Sequence, residues 1–506
     1  MRVLLMYPNQ DLNLDQDFPF NSDDLIQDLE LDVLFQAMSK GDQFLLDVIK
    51  QVILSQEHNL EVIYYRQEAL KDCLKNPEII KQMYQLSIKA KENKTKGWFG
   101  FYGWKTPSNV LNGARNLLEM LFELLGELRE IADKHAYKFK SRAFTRFFEM
   151  IKKELNDEYF EIAKKHIENL RFPNGILLKV ELREGNEGTN YNLCNPNFIS
   201  KNLVQRILNR TKIYSFKLHP RDEAGAKILE ELKNRGLCKA VTSVACASRH
   251  IENFFKILQR ELAFYVSCLN LFETLTEIGI SISFPWVYGL NENKKEYSFR
   301  ELYDISLALT MRQKVVTNDL NTNNKRFFCI TGTNRGGKTT FLRSVGQAQL
   351  MMQAGMFVPA ENFSANICSG VFTHFRREED FTMRRGKLEE ELARMSEIVD
   401  HIHPNALVLF NESFSSTNER EGSEIAHQII DALLENDTKV FFVTHMYELT
   451  RYYFEQNRPD VIFLRAERLP NGRRTFKIKE GIPLQTSHSI DIYREVFKEY
   501  MDFLHR

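Results

Sequence analysis

Gly332-Thr333-Asn334-Arg335-Gly336-Gly337-Lys338-Thr339 fits the pattern G-x-x-x-x-G-K-[ST] of a phosphate-binding loop, and its surroundings fit as well. Phe327-Phe328-Cys329-Ile330 leads in as an apolar strand, and Phe341, Leu342 and Val345 follow at helical spacing. In such a loop, glycines let backbone N–H groups turn toward the α- and β-phosphates, at the positive end of the new helix. Lys338 is then placed for the β/γ-phosphates and the Thr339 hydroxyl for Mg²⁺. The stretch predicts a nucleoside triphosphate site inside an α/β domain.

Phosphate binding alone hydrolyses nothing; a strand must deliver a carboxylate to the water. Ala406-Leu407-Val408-Leu409-Phe410 reads as that strand, followed by Asn411-Glu412. Additional-strand ATPases normally carry Asp-Glu here, the first residue holding Mg²⁺ through water and the second acting on the attacking water. Glu412 therefore reads as the catalytic base and Asn411 as a neutral, weaker metal partner. Val440-Phe441-Phe442-Val443-Thr444-His445 is a further buried strand whose terminal His445 is placed for the γ-phosphate or the water.

The 506 residues exceed one compact core and predict several domains. Lys+Arg and Asp+Glu are equal at 68 each, so any DNA-binding surface must be a local patch. Seven cysteines without C-x-x-C spacing read as reduced thiols of a cytoplasmic protein, with no zinc site. No apolar run reaches the length of a membrane span, and the early acidic stretch excludes a signal peptide.

Upstream of the loop the pattern is helical. Val110, Ala114, Leu117, Leu121, Leu125, Leu128 and Ala132 recur at three- and four-residue steps. Ile251, Phe255, Leu258, Leu262, Tyr265, Leu269 and Phe272 do the same, as in a long helix packed on another or a plain buried one. Phe284-Pro285-Trp286 is expected to end that helix. Alternation at Leu178, Val180, Leu182 and at Tyr214, Phe216, Leu218 suggests a small β insertion. Residues 97–104, rich in Gly, Trp, Phe and Tyr, read either as a stacking or docking loop or as a loop folded onto the helices. The fold class expected is α plus α/β multidomain, a long-helix core and lever region followed by an ABC-type P-loop ATPase domain. The boundaries drawn are 1–24 as an extension, 25–173 as core and lever, 174–245 as a clamp-like insertion, 246–300 as lever return and 301–506 as ATPase.

Together these residues resemble the MutS mismatch-repair ATPases. Thr331 to Thr340 is similar to their T-G-P-N-x-G-G-K-S-T loop, and Phe357-Val358-Pro359-Ala360 to their aromatic-V-P-A element. Ser416-Thr417 with Glu421-Gly422 resembles their G-T…D-G segment, and Thr444-His445-Met446-Tyr447-Glu448-Leu449 their T-H-x-x-E-L. The resemblance implies ATP with Mg²⁺ held by Gly332, Asn334, Gly336, Gly337, Lys338, Thr339 and Thr340, with Val316 and Asn318 approaching the adenine. It also implies a homodimer through the ATPase domains, in which Arg384, Arg385, Gly386 and Lys387 act in trans, Gly386 taking a serine's place. DNA is the partner it implies, read by shape, because no room is expected before residue 25 for the family's mismatch-reading domains. A C-terminal nuclease-like domain is likewise not expected. A second reading is an ATP-dependent scaffold that scarcely hydrolyses ATP and has no direct DNA role, favoured by Asn411.

Overall fold

A computed structural model describes residues 1–98, 106–173, 175–194, 214–290, 292, 295–377, 386–469 and 474–483. The aromatic residues 99–104 and the candidates Arg384 and Arg385 lie outside the described residues. Two compact units emerge. One comprises residues 6–75, 141–143 and 263–506, and the other 1–5, 76–140 and 144–262. These units cut the chain differently from the sequence boundaries, because helices near the N-terminus belong to the nucleotide-binding unit.

Those helices are α1 (Ser22–Asp28), α2 (Leu31–Ser39), α3 (Gln43–Leu54) and α4 (Leu60–Lys75). Asp42 caps α3 by accepting from the N–H groups of Phe44 and Leu45. Asn21 Nδ2 donates to the Val371 carbonyl at 2.8 Å, and Gln347 Nε2 donates to the Leu29 carbonyl at 2.9 Å. Ring stacking of Phe20 on His401 adds apolar contact. The segment drawn as an extension is thus bonded, through Asn21, to the region drawn as 301–506.

The second unit is helical: α5 (Pro77–Trp98), α6 (Pro107–His135), most of α7 (Arg142–Glu154), α8 (Asp157–Asn169) and the first part of α9 (Glu223–Ile278). The apolar stripe of α6 is buried from Leu111 to Ala132, as its 3–4 spacing demands. Phe139, Phe144 and Phe148 pack with centroids 4.8 to 6.1 Å apart. A hairpin of β1 (Leu177–Leu182) and β2 (Gly188–Cys194) matches the first predicted alternation. The second is not a strand: residues 214–218 have no ladder partner among the described residues, and Tyr214 and Phe216 are 83% and 81% exposed.

Helix α9 corrects one expectation and selects between two others. It runs 56 residues and stops at Gly279, well before Pro285. Gly279 sits at φ +74°, and the Ile280 N–H reaches back to the Leu275 carbonyl, a left-handed cap that glycine accepts without strain. Residues 261–270 of α9 are buried all round, so this stretch is a core helix and its 4-3 stripe is only part of the buried surface.

The nucleotide-binding unit continues with β3 (Trp286–Tyr288), β4 (Glu296–Leu302), α10 (Ile305–Met311), β5 (Asn318–Asn323), β6 (Phe327–Thr331), α11 (Lys338–Gln353), β7 (Asn362–Asn366) and β8 (Val371–Phe375). Then come α12 (Lys387–His401), β9 (Leu407–Asn411), α13 (Glu419–Glu435), β10 (Lys439–Val443), α14 (Tyr447–Gln456), β11 (Val461–Arg468) and β12 (Arg474–Glu480). A four-stranded sheet has the order β3-β7-β4-β5; because β4 belongs to it, the boundary at 300/301 falls inside a strand. The six-stranded sheet runs β12-β11-β6-β10-β9-β8, parallel except at β12. Its inner strands are continuous apolar runs because both faces are covered. Phe328 stacks on Phe441 at 4.0 Å and Phe410 on Phe442 at 5.1 Å, fixing β6 beside β10 and β10 beside β9.

Candidate nucleotide site

Parallel pairing brings the three sequence motifs to one end of the sheet. Ile330 pairs with Val443, and Val443 with Asn411, so the residues following β6, β10 and β9 emerge side by side. Ligands of open α/β sheets bind at such carboxyl ends. A pocket of about 510 Å³ lies there, its walls including Val316, Asn318, Asn334, Gly336, Thr340 and Glu412. Gly337, at φ +89°, precedes α11, and a Cβ on it would come within 3.0 Å of the Phe476 carbonyl.

Lys338 begins α11 and is 5% exposed. Its Nζ donates to the carbonyls of Gly332 and Thr333, both at 3.0 Å, and lies 3.1 Å from His445 Nε2. Burial pushes this ammonium down to about 8, opposed by the charge of Glu412. The same Nε2 is 3.1 Å from Glu412 Oε1. One nitrogen cannot donate to a carboxylate and accept from an ammonium with one protonation state. Lys338 already has two carbonyl acceptors, so a proton on Nε2 serves the Glu412 anion better. The hydrogen bond from His445 is the main reason the Glu412 carboxyl is held below its usual range, helped by the charges of His445, Lys338 and Arg376.

Glu412 occupies the left-handed region at φ +56°, its N–H donating to the Val443 carbonyl at 2.9 Å. That turn, just past β9, brings its carboxylate to the pocket wall. Thr339 Oγ1 donates to Asn411 Oδ1 at 3.2 Å, so the two oxygens expected near a metal are adjacent. Gly386 caps α12 and Lys387 begins it. Neither lines the pocket formed by the loop of its own chain.

Two features escape the sequence. Phe476 lines the pocket from β12, more than a hundred residues from the loop, and no local pattern marks it. Asn318 Oδ1 accepts from the Ile478 N–H at 2.7 Å, so besides lining the pocket this side chain fixes the strand that carries Phe476.

A phosphate loop, a carboxylate-bearing strand and a histidine-bearing strand on one parallel sheet define a P-loop nucleotide-binding domain. Residues 328–492 match the family model of MutS domain V, and residues 58–278 that of the MutS2 N-terminal domain. The chain belongs to the MutS family. It is 34% identical over 183 residues to the DNA mismatch repair protein MutS of Thermotoga maritima, covering 36% of this chain and 23% of that protein. It is 32% identical over 188 residues to the endonuclease MutS2 of Geobacillus kaustophilus, covering 37% and 24%. The match to the DNA mismatch repair protein MutS of Syntrophomonas wolfei is 31% over 183 residues, covering 36% and 21%. The chain thus spans under a quarter of the length of these curated relatives. Among the described residues, no helix is long and apolar enough to cross a membrane.

Proposed function

We propose that the chain binds and hydrolyses ATP and uses its nucleotide state to act on DNA, in repair or recombination, as a pair of ATPase domains. The observation that carries the hydrolytic reading is the convergence of Lys338, His445 and Glu412 beside the phosphate loop. Glu412 is ionised and accepts the proton of the attacking water. His445 orients that carboxylate, and Lys338 turns from the loop carbonyls to the β/γ-phosphates. Loop amides and the start of α11 cradle the remaining phosphate oxygens. Phe476 offers an apolar ring at the pocket wall for the base, near Val316.

Mg²⁺ is consistent with the donor set. Thr339 Oγ1 and the Asn411 amide oxygen are adjacent hard oxygen donors that would hold the ion. Among the described residues no group of three or more His, Cys, Asp or Glu side chains is suited to hold a metal ion. An ion held there would supply charge neutralisation at the β- and γ-phosphates.

One chain supplies only part of a composite site, and a partner's Gly386–Lys387 turn, with Arg384 and Arg385, would complete it in trans. DNA recognition by shape draws on the relatives' names as DNA mismatch repair proteins and on basic segments such as Lys134 to Arg146 and Arg465 to Arg474. Part of that charge is already matched: Lys134 pairs with Glu130 at 2.8 Å and Arg142 with Glu61 at 2.7 Å. The neutral Asn411 favours a second reading, an ATP-dependent scaffold that binds but scarcely hydrolyses.

Steady-state ATP hydrolysis by wild type and Glu412→Gln, with and without branched DNA, separates the readings. Turnover that rises with DNA and vanishes in the variant supports the first. Intact ATP binding without turnover in either protein supports the second. A protein that stays monomeric by light scattering with ATP and Mg²⁺ would exclude the paired site.

A further inference from the structure

Glu391 lies on α12, one turn past Gly386–Lys387, and is 2% exposed. Its carboxylate does not face solvent or the nucleotide pocket. Oε2 accepts from the Phe414 N–H at 2.7 Å and Oε1 accepts from the Ser416 hydroxyl at 2.8 Å. Both donors belong to the turn that follows Glu412. The Glu391 carbonyl faces His374 Nε2 at 2.9 Å, and His374 Nδ1 lies 2.7 Å from the Ser413 hydroxyl. Burial, with the charge of Arg394, holds the His374 imidazole down at about 4, so it is neutral with Nε2–H donating to the Glu391 carbonyl, while the Ser413 hydroxyl donates to the His374 carbonyl at 2.6 Å. Residues 413, 414 and 416 are therefore each bonded to α12 or β8.

That support has a reason. Glu412 and Phe414 sit at φ +56° and +60°, two non-glycine residues in the left-handed region within three positions. Each such residue is in a disfavoured backbone conformation, and it persists only where the surroundings hold it. Charge-assisted hydrogen bonds to a buried carboxylate supply that hold. An amide in place of the carboxylate keeps the shape but cannot accept from both donors with the same strength.

We propose that Glu391 is a positioning residue. It ties the start of α12, the segment that would meet a partner's nucleotide, to the turn that aims Glu412 within the same chain. Displacement of the α12 N-terminus is transmitted through one carboxylate to Phe414 and Ser416, and from there to Glu412. The two sites of a pair are thereby coupled, and this coupling rests on the hydrolytic reading above.

The test compares wild type, Glu391→Gln, Glu391→Asp and Ser416→Ala for nucleotide affinity, kcat, KM and melting temperature. Amide hydrogen exchange of the peptide spanning 412–416 is also followed, with and without a non-hydrolysable ATP analogue. For Glu391→Gln, kcat is expected to fall about tenfold or more with nucleotide affinity unchanged, since small misplacement of a reacting group is costly. Ser416→Ala, which removes one of the two donors to the Glu391 carboxylate and leaves the Phe414 N–H in place, is expected to lower kcat severalfold with nucleotide affinity unchanged. The 412–416 peptide should gain protection on nucleotide binding in wild type and not in Glu391→Gln. An unchanged kcat in Ser416→Ala and Glu391→Gln overturns the proposal, as does a loss confined to affinity. If Glu391→Gln melts early, Ser416→Ala decides. If wild type turns nothing over, the hydrolytic reading has failed on its own, and the exchange comparison still decides the coupling: equal protection in both proteins overturns it.

Discussion

Thr339 Oγ1 donates to Asn411 Oδ1 at 3.2 Å, joining the first turn of α11, where Thr339 lines the nucleotide pocket, to the end of β9. A carboxylate at 411 would add a negative charge beside the oxygen proposed to ligate Mg²⁺. Asn411→Asp is expected to lower the Mg²⁺ concentration at half-maximal turnover about tenfold, the scale of one charge-assisted contact. An identical Mg²⁺ requirement in both proteins would remove residue 411 from the metal's surroundings.

Lys338 titrates at about 8 because it is buried, so in alkaline solution a growing share of nucleotide-free protein holds it neutral. Phosphates restore the charge. Nucleotide binding above pH 8 should therefore take up a proton, and affinity should fall by up to tenfold per pH unit as pH rises from about 8 toward 10. Calorimetric titration at pH 9 in buffers of different ionisation enthalpy measures that uptake. Finding none would mean the ammonium is already fully charged without ligand.

Phe476 is half-exposed and forms part of the pocket wall. Phe476→Ala is expected to weaken ATP binding by about 1–2 kcal/mol, the scale of one base–aromatic stacking contact, with kcat little changed. Equal affinity for ATP and inorganic triphosphate in wild type would show that the ring does not hold the base.

Asp28 is buried near Arg394 and its carboxyl is raised to about 6, chiefly by desolvation. The folded chain holds this proton more tightly than the unfolded chain. The stability linked to it is fully present below about 3.8 and is lost as pH rises through about 6. Asp28→Asn cannot titrate there. Relative to that variant, wild type should gain about 2 kcal/mol of unfolding free energy between pH 7.5 and pH 4.5. Parallel stability curves from urea melts would contradict the burial argument.

A Cβ on Gly422 would lie 2.3 Å from the Phe414 carbonyl, a backbone atom that cannot step aside cheaply. Gly422→Ala is expected to lower stability by about 2 kcal/mol and to slow turnover by shifting the turn after Glu412. Urea unfolding and kcat together check this, and a variant with wild-type values for both would show that α13 yields freely.

The sequence by itself determined the nucleotide end of the molecule. Phosphate loop, Asn411-Glu412 and His445 each sit at the end of an apolar run, and parallel pairing of adjacent buried strands has one register that brings those ends together. Local chemistry therefore marked the candidate residues, and the strand order that sets them side by side belongs to the fold. Tertiary structure alone decided what surrounds them. The β12 strand that carries Phe476 is held where the Ile478 N–H donates to Asn318, 160 residues away from Ile478, and Glu391 reaches the Glu412 turn across 23 and 25 residues. Asn21 crosses 350 residues to β8. Such contacts join groups with no shared periodicity, and only the folded packing of their elements selects which donor meets which acceptor. The end of α9 was misread for the opposite reason: Pro285 was a visible breaker, but a left-handed glycine cap had already closed the helix at Gly279.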